Sequence, residues 1–267
     1  MPPPDAKITQ MIIKRTEYAV GQNEWTNPPE IVWAVDPEMA QDERTLRRRY
    51  TMLGPEHLHT IAEAIPFAAG LNFEGENDAA EFLYRRCLRA LEVWHSDDPQ
   101  TLKLRLTLAK LLRKKARYAG TNRNAILREA VAHNRKVVED SRRLLGLVDI
   151  DTATAIEFLV ILLRDQGEFR AGEALLRELL NEQTSLLGAD DPDTLQTTRL
   201  LGDLFFGEGN DIAAREHYEL AYERGKVWRN EYHSHRPDPA KEGLDAVIAR
   251  MAPKKTAKRK VAKKNHA

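Results

Sequence analysis

Cysteine is almost absent from this chain: Cys87 stands alone among 267 residues. An internal disulfide is therefore excluded, and a reducing interior suits the sequence better than a small bridged fold. Long apolar runs are absent too. No segment approaches the roughly 20 apolar residues that a membrane-spanning helix needs, and the opening Met1-Pro2-Pro3-Pro4-Asp5 does not begin a signal peptide. Catalytic signatures are equally scarce. There is no G-x-x-x-x-G-K-[ST] loop to cradle phosphates, and no Ser/His/Asp or paired-carboxylate arrangement rises above a background that is 31% charged. His233 and His235 form a short pair in a loop, and two His without further ligands do not make a metal site. The expectation is a non-enzymatic, soluble protein with no metal and no cofactor. Its expected place is the cytoplasm, with the nucleus or nucleoid as the alternative.

A net charge is also missing, since 41 Lys/Arg balance 41 Asp/Glu. The balance hides sorting. Residues 101–146 hold thirteen Lys/Arg against three Asp/Glu, residues 147–249 hold ten against twenty-one, and residues 250–267 hold eight against none. Charge blocks of this size govern which partners a surface accepts.

What the chain does have is a pattern written twice. Leu144-Leu145-Gly146 is followed by Asp149, Asp151 and Thr152, and Leu186-Leu187-Gly188 by Asp191, Asp193 and Thr194. The two copies are 42 residues apart, as are Gly167 and Gly209, each placed where a glycine ends a helix. A fixed period of this length marks a helical repeat, whose units bury their apolar faces only against their neighbours.

The rest of the chain falls into that register. Residues 1–36 form an N-terminal extension that gives no clear pattern. From Asp36-Pro37, Met39, Leu46, Tyr50 and Leu53 recur with helical spacing up to Gly54, so 37–53 reads as a half-repeat with Asp36 as N-cap. Repeat one runs from Gly54, His57 and Thr60 past Gly75, with Pro66 expected to kink its first helix. Repeat two starts at Asp97-Asp98-Pro99-Gln100-Thr101 and is nine residues longer than the period. The excess is expected in a loop from Arg117 to Ala125. Repeats three and four follow at Thr152 and Thr194, so the array spans 37–232. Residues 233–252 are expected to cap it with a helix carrying Leu244, Val247, Ile248 and Met251. Residues 253–267 form a basic tail without apolar periodicity, expected to be disordered.

These residues resemble the tetratricopeptide repeat family, in its 42-residue kinesin-light-chain form. The shared motif is Leu187-Gly188-Ala189-Asp190-Asp191-Pro192-Asp193-Thr194, then a Gln-Gly turn such as Gln166-Gly167, then the second-helix stretch Ala80 to Leu88. The resemblance implies an all-α solenoid of about four helix pairs in a right-handed superhelix, between an N-terminal half-repeat and a C-terminal capping helix. It implies protein binding in a groove lined by the first helix of each pair. It also makes Cys87, at a position usually Ala, a small buried hydrophobe. The chain departs from the resemblance at one place. Where kinesin light chains carry a groove Asn, six residues after the motif Thr, this sequence has Pro66, Thr107, Phe158 and Leu200, so no generic clamp on a peptide main chain is implied.

Counting from the motif Thr gives the groove positions. Repeat one offers Ala62, Ile65, Ala69, Asn72 and Phe73; repeat two Lys103, Leu106, Lys110, Arg113 and Lys114. Repeat three offers Thr154, Glu157, Ile161, Arg164 and Asp165; repeat four Gln196, Arg199, Asp203 and Phe206. The expected partner-binding set is Lys103, Leu106, Lys110, Arg113, Lys114, Arg164 and Arg199. Its cations in repeat two lack acidic neighbours in the sequence and suit an acidic or phosphorylated protein segment. A solvated helix face is the bland reading of the same run. The tail, with Lys254, Lys255, Lys258, Arg259, Lys260, Lys263 and Lys264, reads equally as an import signal or nucleic-acid contact and as a solubilising end; with the basic second repeat it gives the alternative function, a nuclear or nucleic-acid-associated protein. It has no aromatic residue for base stacking, so any nucleic-acid contact there would be backbone-directed.

Overall fold

The structure is a computed structural model that describes residues 37–54, 56–94, 98–232 and 238–252. The N-terminal extension, His233 and His235, and the basic tail lie outside the described residues. Among the described residues ten α-helices follow one another: α1 Pro37–Leu53, α2 Leu58–Phe73, α3 Asn77–Trp94, α4 Pro99–Ala116, α5 Arg123–Leu145, α6 Ile150–Gln166, α7 Phe169–Leu186, α8 Pro192–Glu208, α9 Asp211–Tyr232 and α10 Pro239–Met251. No strand occurs among the described residues. The chain divides into two compact units, one ending at Gln166 and one starting at Gly167.

Each first helix begins the same way. The residue three before the motif Thr leaves helical geometry and lends its side chain to a free backbone N–H, which is what an N-cap does. His57 accepts from the His59 amide at 3.2 Å, Asp98 from Gln100 at 2.7 Å, Asp149 from Asp151 and Asp191 from Asp193, both at 2.9 Å. Pro99 and Pro192 then occupy the first turn, where no donor is needed. The motif threonines Thr60, Thr101, Thr152 and Thr194 are all buried. They are packing residues. At the far end of α8, Gly209 takes φ +90° and its N–H reaches the carbonyls of Phe205 and Phe206, a left-handed cap that a side chain would strain.

In the N-terminal unit, packing joins helices adjacent in sequence from α1 to α6. Leu46 of α1 is buried, and the Arg86 guanidinium of α3 sits 4.3 Å over the Tyr50 ring. Leu53, at the end of α1, is 43% exposed, so it does not continue the buried stripe. Helix α2 runs unbroken through Pro66, an exposed position. Asn134 is fully buried on α5 and donates to the Ala155 carbonyl of α6 at 2.9 Å. The nine extra residues of repeat two do not all form a loop. About half lengthen the connection, which includes a short 3-10 turn at Gly120–Asn122, and the rest make α5 a 23-residue helix that already includes Ala125. Leu127, Ala130 and Val131 explain the early start, because all three are buried.

In the C-terminal unit, α7 packs on α8, α8 on α9, and α10 on α9 and α8. Helix α10 opens like a first helix, with the Asp238 carboxylate accepting from Ala240 and Lys241 and Pro239 in the first turn. Its buried face is Ala240, Leu244 and Val247. Ile248 and Met251, expected on that face, are 47% and 45% exposed. Positions 240, 244 and 247 complete one stripe of a 3.6-residue period; 248 falls on its edge, whereas 251 lies on the stripe but is the last residue of the helix. The fully buried Tyr218 ring of α9 lies against Gly202 and Gly243, and a Cβ at either glycine would come within 2.8 or 2.5 Å of it.

Candidate functional site

Helix α4 separates two faces cleanly. Leu102, Leu104, Leu108, Ala109, Leu111 and Leu112 are buried, while Lys103 and Lys110 are exposed and Leu106, Arg113 and Lys114 are half-buried. On α6, Thr154 is exposed and Glu157, Ile161, Arg164 and Asp165 are half-buried. On α2, Ala62 and Ala69 are exposed, Ile65 and Asn72 half-buried, and Phe73 is 89% exposed. All these nominated positions are therefore reachable from solvent.

Their electrostatics differ from the expectation of cations without acidic neighbours. The Arg113 Nε donates to the Asp165 carboxylate at 2.6 Å, joining α4 to α6. Lys114 Nζ donates to both the carbonyl and the side-chain oxygen of Asn72, at 2.9 Å each, joining α4 to α2. Lys115 pairs with Asp78 and Glu81 of α3, and Arg105, buried, pairs with Glu92 of α3 and Asp140 of α5. Much of the positive block thus neutralises acids contributed by neighbouring helices, which sequence proximity does not reveal. Arg113 and Lys114 are ties between repeats.

Three nominated cations in this unit remain. Lys110 Nζ lies 5.8 Å from the Phe158 ring centroid of α6, a cation–π contact that leaves its donors open. Lys103 and Arg164 make no ion pair among the described residues. Leu106 and Ile161 add half-exposed apolar surface beside them.

The first-helix face of the C-terminal unit is different. Arg199 is bound to Asp203 at 2.5 Å and to Gln196 at 3.1 Å, so it is not an available cation as expected. The Tyr218 hydroxyl takes the other Asp203 oxygen at 2.6 Å. Arg250 of α10 stacks 3.6 Å over the Phe206 ring and donates to the Phe206 carbonyl and to Asp211. This face is satisfied from within.

Two titrating groups lie away from the groove. Burial pushes the Cys87 thiol up to about 12, which makes it an inert hydrophobe. Burial also holds His133 below the usual imidazole range, although Glu129 lies 3.7 Å away; the Glu129 carboxyl is itself lowered by Arg85. Among the described residues no cluster of three His, Cys, Asp or Glu could hold a metal ion, and no helix is long and apolar enough to cross a membrane.

Residues 151–226 match the tetratricopeptide repeat family model. Those residues carry tetratricopeptide repeats. Several solved structures share the fold. One is the crystal structure of nearly identical TPR-like repeats from a Podosopora anserina protein assigned as a kinesin light chain, at 19% identity and TM-score 0.64, covering 72% of this chain and 87% of that one. A single-substitution form of the same repeats aligns at 18% identity and TM-score 0.63, covering 73% and 87%. BtubC (BKLC) from P. vanneervenii aligns at 19% identity and TM-score 0.55, covering 79% and 81%. No curated protein matches the chain significantly. Tetratricopeptide repeats of this form support a protein-interaction scaffold in general terms.

Proposed function

We propose that this tetratricopeptide-repeat chain is an adaptor that holds an acidic segment of a partner protein on the first-helix face of α2, α4 and α6. The supporting observation is the group Lys103, Lys110 and Arg164, cations with no internal carboxylate, set beside half-exposed Leu106 and Ile161. Lys103 and Lys110 are seven residues apart on one helix, about 10 Å along the axis, with Leu106 between them. A segment with two carboxylates flanking an apolar side chain fits that spacing. Cations give orientation and rate of encounter, and the apolar contact gives salt-resistant affinity.

The test uses fluorescence anisotropy with labelled peptides in which acidic residues flank one large apolar residue, and matched peptides with Gln and Asn in place of the acids. Lys103→Glu with Lys110→Glu should weaken binding of the acidic set at least tenfold, while Arg199→Gln leaves it unchanged. Equal affinity for acidic and amide peptides, or an unaffected double variant, overturns the reading.

A further inference from the structure

Repeat one presents a first-helix face unlike that of its neighbours. Ala62, Ile65, Ala69 and Phe73 recur along α2 with helical spacing; Ile65 is half-buried, Ala62 and Ala69 are exposed, and Phe73 is 89% exposed. From Ala62 to Phe73 the stripe runs about 16 Å, and none of the four is polar. Asn72 beside it is held by Lys114, and Glu63, on the side towards α1, is paired with Arg49 at 3.1 Å. The same counts from the motif threonine give Lys103, Leu106, Lys110 and Lys114 on α4, and Thr154, Glu157, Ile161 and Asp165 on α6. The solenoid itself therefore does not require an apolar face there. A continuous apolar strip open to water marks an interaction surface.

The chain itself supplies a fitting occupant. Ile31-Val32-Trp33-Ala34-Val35 is the longest uninterrupted apolar run in residues 1–36, and only Asp36 separates it from α1. Helices α1 and α2 are joined by residues 54–57 and bridged by Arg49 and Glu63, so they run antiparallel. Counting outward from that bridge, Phe73 lies ten residues along α2, about 15 Å, and Pro37 twelve residues back along α1, about 18 Å. The chain thus enters α1 at the Phe73 end of the stripe. The six residues from Ile31 to Asp36 reach about 20 Å when extended, which is enough to follow the stripe along its length. A tether this short sets a local concentration on the order of millimolar, which favours the chain's own run over a second copy.

We propose that the apolar stripe of α2 is a docking surface for residues 31–35 of the same chain, which close the repeat-one end of the first-helix face. In an extended run Ile31, Trp33 and Val35 share one side, and that side is set against the stripe. A partner segment that extends from α4 onto α2 must displace the run, whatever the charge of that segment. The test follows thiol labelling of the full chain carrying Ala69→Cys at about pH 8, where buried Cys87 adds no fast-reacting thiol. Ile31→Ser, Trp33→Ser and Val35→Ser together should speed labelling at position 69 by about tenfold or more, because access to the thiol controls its rate. Thr154→Cys, at an exposed position of α6, is the reference, and the triple change should leave its rate unaltered. Continued silence of Cys87 shows that the variant is folded. If Cys87 does react, Trp33→Ser alone takes the place of the triple change.

Three results overturn the proposal. One is equal labelling of Ala69→Cys with and without the changes in the run, which would leave the stripe open for a separate partner protein. Another is protection that fades as the protein is diluted, which would assign the stripe to a second copy, since a tethered contact does not depend on protein concentration. The last is an equal acceleration at Thr154→Cys, which would place the effect outside the stripe.

Discussion

Arg113 and Asp165 meet at 2.6 Å from the first helices of successive repeats, 52 positions apart in the chain, with each side chain 21% exposed. At that depth the pair is worth more than a surface ion pair, and losing one partner strands the other. Asp165→Asn is expected to cost about 1–2 kcal/mol in denaturant unfolding. With Arg113→Gln as the second variant, a double-mutant cycle should show the combined loss to be smaller than the sum of the single losses. Additive losses would mean that the two residues do not interact.

A glycine on α10 reverses an ordinary expectation. Gly to Ala inside a helix normally stabilises by about 1 kcal/mol. At Gly243 the added carbon would come within 2.5 Å of the Tyr218 ring, which is fully buried. Gly243→Ala should therefore destabilise the C-terminal unit, by about 1–3 kcal/mol as overpacking does. Thermal unfolding decides by sign alone, and a gain in stability would show that α10 does not pack on Tyr218.

His133 gives the N-terminal unit a dependence on pH. Burial lowers its pKa from the ordinary 6.5, so the folded state prefers the neutral ring. The unfolded chain takes up a proton below that value and the folded chain resists, so stability falls as pH drops through about 6.5. Glu129, lowered by Arg85, acts only in the more acidic carboxylate window, again losing stability as pH falls. His133→Gln should shrink the difference in Tm between about pH 7.5 and pH 5.5. An unaltered difference in the variant would assign the pH response elsewhere.

Cys87 should resist thiol reagents in the native protein. With its thiol pushed up to about 12 and buried, the reactive thiolate is scarce at about pH 8. One equivalent should react only after denaturant is added. The same shift means that stability from this site is lost as pH rises from about 9, where the unfolded thiol ionises. Rapid labelling of the folded chain would contradict the burial.

The repeat register is legible in the sequence because local backbone geometry dictates its marks. An N-cap must accept from an amide, so Asp98, Asp149 and Asp191 recur. A left-handed helix end favours glycine, so Gly209 does. The Arg199–Asp203 bond is equally legible, being an i,i+4 pair on one helix. The Arg113–Asp165 bond is not, because it depends on how two repeats dock. The start of α5 is hidden for a related reason: Asn122 at its N-cap makes no side-chain hydrogen bond, so no capping chemistry marks the boundary. Burial of Leu127 and Ala130 decides it instead. On α10, periodicity shows that one face is apolar but not how far neighbouring helices reach around and along it, which leaves Ile248 at the rim and Met251 exposed at the helix end.

The ties from repeat two to its neighbours make its place in the array non-interchangeable. Lys115 needs Asp78 and Glu81 beside it, Lys114 needs Asn72, and Arg113 needs Asp165. A second copy of repeat two inserted next to the first would face cation with cation at these positions and leave half-buried charges unmatched. Repeat arrays are often treated as beads that can be shuffled or duplicated. Here the order of the beads is written into their charges, and a rearranged chain would carry the same helices with its seams mismatched.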